Sequence, residues 1–194
     1  MFFSKKFIIA QALFIAAAAV LLVIYLKQPK RQPLPVYNSV ANFTFKNQHS
    51  ENFGLLDLKG KVWVADFIFT TCGSLCPVMS RKMMLLHKTF IHDDNVRMVS
   101  ISVNPDNDTP QALDAFAKKY QADGRRWIFL TGPREETQQL IVGSFKIGDM
   151  KEIMFHSPMF VLVDRRGQIR GYYDSTDEER IKQLNADLIF LEKE

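Results

Sequence analysis

Cysteine is nearly absent. Only two of the 194 residues carry a thiol, Cys72 and Cys76, and they stand together in the stretch FTTCGSLCPVM. Any thiol chemistry is therefore confined to one pair with three residues between its members. Histidine is scarce as well, at four residues. An excess of positive charge is missing where it would matter. The 25 Lys and Arg outnumber the 21 Asp and Glu, but Lys5, Lys6, Lys27, Lys30 and Arg31 all flank one apolar run, which leaves 20 basic against 21 acidic residues from Val36 onward. A nucleic-acid binder neutralises phosphates with a basic face, so that class is excluded. Neither an internal repeat nor a low-complexity tract is present.

One long apolar run does occur. Residues 7–26, FIIAQALFIAAAAVLLVIYL, are interrupted only by Gln11 and match the thickness of a bilayer core crossed by a helix. The run continues seven residues past Ala19 with no small-residue cleavage pattern at its end, so it reads as an uncleaved anchor rather than a signal peptide. The chain thus divides into a short N-terminal tail 1–6, a transmembrane anchor 7–26, a Pro-rich linker 27–35 and one domain 36–194. Two lysines precede the span and Lys27, Lys30 and Arg31 follow it, so counting charges does not orient it.

Along the domain, FTFKNQ and HSENFGLLDLKGK predict an N-terminal hairpin, and KVWVADFIFT a strand covered on both faces. The cysteines follow at once. CPVMSRKMMLLHKTF then has apolar residues at helical spacing, with Pro77 suited to a first turn and Ser74 or Cys72 near the cap. The alternation continues with VRMVSISV as strand, DTPQALDAFAKKY as a helix opened by Asp108 or Thr109, and WIFLTG as strand. A helix over REETQQLIVGSF, a strand pair MFVLVDRRGQIRGYYD turning at Arg166–Gly167 and a last helix TDEERIKQLNADLIFLEK complete it. Such alternation predicts an α/β fold, a parallel or mixed central sheet flanked by helices with the final hairpin as an antiparallel edge.

Two cysteines four apart at the start of a helix project from one face, and the helix N-terminus favours a thiolate. A static disulfide in so short a loop would gain little from chain entropy. Two active uses remain, reversible disulfide chemistry and soft-metal binding, and the three-residue gap favours a Cu(I) ion held between sulfurs, completed by a third ligand from elsewhere. Among the histidines, His49 lies in a polar turn, and His87 and His92 sit late in or just past the cysteine helix; all three read as solvated surface groups. His156 differs, because FHSPMFVLVD places it just ahead of a core strand, in a loop able to fold back over the cysteines. Met79, Met83 and Met84 read as core packing. Asp66, a carboxylate in an otherwise apolar strand, needs a partner and is a candidate for tuning the thiols.

These residues resemble the Sco/SenC family of membrane-anchored copper proteins with a thioredoxin-like fold, through LKGKVWVADFIFTTCGSLCPVM, then SVNPDNDTP, then HSPMFVLVDRRGQIRGYYD. The resemblance implies copper binding by Cys72, Cys76 and His156, with delivery of copper to, or reduction of, the copper A site in subunit II of cytochrome c oxidase. It also implies a single-pass protein of the cytoplasmic membrane with its domain on the periplasmic side, receiving copper from a donor protein. Asn104 stands where the family generally has aspartate. Pro158 falls where thioredoxin-like folds carry a cis proline facing the active cysteines, and a cis bond is expected there; an ordinary proline opening a strand fits as well. The enzyme alternative is a thiol-disulfide oxidoreductase in which Cys72 attacks and Cys76 resolves.

Overall fold

The computed structural model describes residues 11, 13–20, 32–148 and 157–194. The chain forms two compact units, Met1–Pro33 and Leu34–Glu194. In the first, residues 13–20 are helical and exposed. No helix among the described residues is long and apolar enough to cross a membrane, and much of the expected anchor 7–26 lies outside them.

The second unit is built on eight strands: β1 (Asn38–Ser39), β2 (Thr44–Asn47), β3 (Asn52–Gly54), β4 (Val62–Ile68), β5 (Val96–Ser102), β6 (Trp127–Thr131), β7 (Met159–Val163) and β8 (Gln168–Asp174). They form one mixed sheet in the order β1-β8-β7-β4-β5-β6-β2-β3. The pairs β4–β5 and β5–β6 are parallel and the others antiparallel. All seven residues of β4 are buried, as a β-branched and aromatic run with no alternation requires of a central strand.

Four α-helices are described in this unit, two of them capped by a side chain. Helix α1 (Leu75–Thr89) links β4 to β5, and α2 (Pro110–Lys119) links β5 to β6. The hydroxyl of Thr109 accepts the Ala112 amide N–H at 3.2 Å, with Pro110 at the first helical position where its missing N–H costs nothing. Helix α3 (Arg134–Gln138) runs into a π-helical stretch, Gln139–Phe145, and α4 (Glu178–Glu192) is capped by the Asp177 carboxylate. Val62, Val64 and Ile68 of β4 pack with Met79 and Met83 of α1 and with side chains of α2 and α4. Trp63, Ala65 and Phe67 face the opposite way, toward Phe43, Phe45, Ile141 and Phe145.

Two expectations need correction. The helix over 134–145 is not α-helical throughout: the amide of Asn38 donates to the Ser144 carbonyl at 2.7 Å and the Ser144 hydroxyl accepts the Ala41 N–H at 3.0 Å, so the β1 segment holds the last turn. The β7–β8 hairpin does turn at Arg166–Gly167, with Gly167 at φ 76°, but it is not the sheet edge, because Asn38 and Ser39 pair with Ile169 and Gln168 beyond it.

Candidate metal centre

Strand β4 ends at Ile68, and the chain reverses through Phe69–Ser74 into α1 at the C-terminal edge of the parallel strands, where open α/β sheets place their sites. The turn is closed by the Cys72 amide donating to the Phe69 carbonyl at 3.2 Å. Ser74 occupies the N-cap position without a side-chain cap. The sulfur does that work instead: Cys72 Sγ accepts the Cys76 amide N–H at 3.4 Å, and Ser74 Oγ lies 3.8 Å from it. Both cysteines are free thiols and both are buried.

Burial pulls the Cys72 thiol up, but the amides of Cys76 and Ser74, with the side chains of the same two residues, outweigh it and bring it down to about 7. Burial pushes Cys76 up to about 12, and the negative charges of Cys72 and Asp66 add to that rise. The pair is thus one ready thiolate beside one thiol that keeps its proton until a cation or an electrophile displaces it.

Asp66 lies beneath the pair in β4, fully buried. The Ser100 hydroxyl donates to its Oδ1 at 2.6 Å and accepts the Trp127 indole N–H at 2.9 Å, while its Oδ2 has no partner among the described residues. Desolvation dominates over the Ser100 bond and raises the carboxyl from its ordinary 3.8 to about 7. Its charge adds to the rise of the Cys76 thiol.

Met79 and Met83 are core residues, as expected, and His49 and His92 are exposed. His87, expected at the surface, is buried. Its ring is 1% exposed and packs 5.9 Å from the Trp127 ring, because residues 76, 79, 83 and 87 share one helical stripe. The expected cis bond at Pro158 is also absent. No peptide among the described residues is cis, and Ser157 and Pro158 are both among them; Pro158 opens β7, its carbonyl accepting the Ser175 N–H at 2.8 Å. His156 lies outside the described residues. Among the described residues no three of His, Cys, Asp and Glu converge as metal ligands, so the donor set on view is the two sulfurs. Two soft sulfurs four residues apart fit one side of a Cu(I) ion.

A thioredoxin-like mixed sheet with a free dithiol at a strand–helix junction defines a class of metal and redox proteins. The SCO1/SenC family matches residues 31–188, and this chain belongs to it. The SCO1 protein homolog of Bacillus subtilis is 35% identical over 160 residues, 79% of this chain and 83% of the relative. A SCO1/SenC family lipoprotein from Bacillus anthracis has the same fold at 34% identity and a TM-score of 0.72, covering 83% of this chain and 98% of that one. BsSco, described as a member of the Sco family of cytochrome c oxidase assembly proteins and as holding a disulfide switch, aligns at 35% identity and a TM-score of 0.74, over 84% and 99% of the two chains. At 20% identity, copper-bound ScoI of Bradyrhizobium japonicum shares the fold with a TM-score of 0.64, over 79% of this chain and 99% of that one.

Proposed function

We propose that the chain is a membrane-anchored copper chaperone of cytochrome c oxidase assembly, holding copper through Cys72, Cys76 and His156 and passing it to the copper A site of subunit II. The observation that carries this reading is the contact between the Cys72 sulfur and the Cys76 amide, which places two free sulfurs side by side at the start of α1. The third ligand is supported by sheet register. Strand β7 pairs antiparallel with β4, Ala65 beside Val161 and Trp63 beside Val163, so the chain entering β7 comes in at the end of the sheet where β4 leaves for the cysteines. The copper-bound relative and the oxidase-assembly description of BsSco point to the same cargo and destination.

Copper is the cargo here, and nothing is turned over. Binding displaces a proton from Cys76, so affinity weakens as pH falls. The anchor at 7–26 would keep the domain on the extracytoplasmic face of the membrane, where an acceptor site is reached without diffusion in three dimensions; the lipoprotein relative is consistent with membrane attachment. The test is a copper titration of the reduced chain beside its His156→Ala variant. The reading requires about one copper per chain and a clear loss of affinity in the variant. Unchanged binding would remove His156 from the site.

The split between the thiols favours a second reading, a thiol-disulfide reductase that keeps the acceptor's cysteines reduced. The Cys72 thiolate attacks one sulfur of the acceptor disulfide and expels the other as a thiolate. Cys76 then loses its proton, attacks Cys72 and releases the second acceptor thiol, leaving a Cys72–Cys76 disulfide. Two electrons pass to the acceptor. Repeated reduction of a disulfide substrate by the copper-free chain, with an added thiol reductant returning the Cys72–Cys76 disulfide to the dithiol, separates this activity from simple binding.

A further inference from the structure

Asp108, at the end of the β5–α2 connection, has no task in the account above. It adjoins the α2 cap but does not serve it, because Thr109 takes the Ala112 amide. Its side chain is fully buried and turns back toward the cysteine turn. Oδ1 accepts the Thr70 hydroxyl at 2.6 Å and the Thr70 amide N–H at 3.1 Å, and Oδ2 accepts the Ser102 hydroxyl at 2.5 Å. Ser102 Oγ in turn accepts the Asn104 amide N–H at 3.0 Å. Two residues past Thr70, the Cys72 amide closes onto Phe69. One carboxylate therefore joins the turn before Cys72, the end of β5 and the start of α2.

A carboxylate removed from water to this degree is held by several donors at once, and three are supplied. A neutral amide of the same shape would aim an N–H at a donor. A fold that needed only a filled space at this position would be served by any small apolar residue. Two of the three donors instead come from Thr70, in the turn that carries Cys72, and the third from Ser102 at the end of β5.

We propose that Asp108 is a positioning residue of the thiol site, fixing Thr70 and through it the direction in which the Cys72 sulfur is presented. This rests on the reading of Cys72 and Cys76 as copper ligands. Asp108 acts through Thr70, and its removal loosens the sulfur geometry before it loosens the sheet.

The test uses the full chain with Asp108→Asn, Thr70→Val and the two combined. Three quantities are read: Cu(I) affinity against a competing chelator, the reduction potential of the Cys72–Cys76 couple against glutathione, and the thermal midpoint. Asp108→Asn is expected to weaken copper binding about 10- to 100-fold, the range for residues that orient metal ligands, and to shift the potential. Thr70→Val is expected to move both in the same direction by less, and the double variant to be no worse than Asp108→Asn alone. A lower midpoint with copper affinity and potential unchanged would reduce Asp108 to a structural brace and overturn the proposal. Should Asp108→Asn fail to fold, Thr70→Val carries the test, since it keeps the carboxylate and its bond to Ser102. Should the unmodified chain hold no copper, the ligand reading fails, while the potential still decides the role of Asp108.

Discussion

At the first turn of α1 the Cys72 sulfur meets the Cys76 amide at 3.4 Å, whereas near its last turn the two nitrogens of His87 meet no hydrogen-bond partner among the described residues, with the Asp123 carboxylate 3.9 Å away. Both side chains are buried, yet they are driven in different ways. The unpaired amides that open a helix favour an anion, and they bring the Cys72 thiol down to about 7 in spite of its burial. For His87 burial leads and favours the neutral imidazole, and with the charges of Arg126 and Lys88 it outweighs Asp123 and lowers the pKa. Donors decide the outcome, and only one end of the helix has them to spare.

The largest effect that sharpens this contrast is at the cysteine end. Cys72→Ser or Cys76→Ser is expected to cost more than about a hundredfold in copper affinity, beyond what an orienting residue costs, while His87→Phe leaves it unchanged. Chelator competition with each reduced variant reads this directly. Equal losses in all three would erase the distinction between the two ends.

Stability against pH comes next. Asp66, beside the cysteines, has a folded pKa raised from 3.8 to about 7, so the folded state prefers its protonated form. Its contribution is complete below pH 4 or so and is lost as pH rises through about 7, up to about 4 kcal/mol in all. Asp66→Asn is expected to flatten that fall in denaturant unfolding curves taken from acid to neutral pH. A variant that keeps the full slope would place the titration elsewhere.

A third expectation concerns thiol reactivity. At pH 7 about half of Cys72 is thiolate, against roughly one part in a hundred for a thiol at its ordinary value of 9.0. Alkylation should therefore label Cys72 first and reach half its limiting rate near pH 7, with peptide mapping to assign the site. Labelling of Cys76 first would invert the roles given to the pair.

The smallest effect lies at the other end of the helix. His87 is held neutral, so its contribution is present above the ordinary imidazole value and is lost as pH falls, a slope opposite in sign to that of Asp66. His87→Phe keeps an aromatic ring against Trp127 and is expected to change neutral-pH stability by less than about 1.5 kcal/mol while removing the acid slope. An unchanged acid limb would show that another group governs it.

Much of this architecture was legible in residue patterns that have one physical meaning. The apolar run of β4, interrupted only by Asp66, fits a strand covered on both faces, Thr109–Pro110 fixes a helix start, and Gly167 marks a turn that needs a positive φ. The cysteine pair was legible for the same reason, as spacing and capping place it at a strand–helix junction. What was missed depends on contacts between segments far apart in the chain. The direction of the Asp108 side chain is set by Thr70, 38 residues earlier, and no local pattern records that. One clue existed, since a threonine before proline already supplies the cap and leaves the neighbouring aspartate free. His87 is legible in principle from its four-residue spacing to Met83, because position on the stripe outweighs polar type at this site. The π-helical turn was set by Ala41 and Asn38 binding Ser144, again across the fold. The cis bond expected at Pro158 came from analogy with related folds and not from any property of Ser157–Pro158.

The most direct test of the central claim is an anaerobic Cu(I) titration of the reduced full-length chain, set beside Cys72→Ser and Cys76→Ser. The account predicts about one tightly held copper per chain and its loss in both variants. Copper held as tightly after either sulfur is removed, or none held by the unmodified chain, would contradict it.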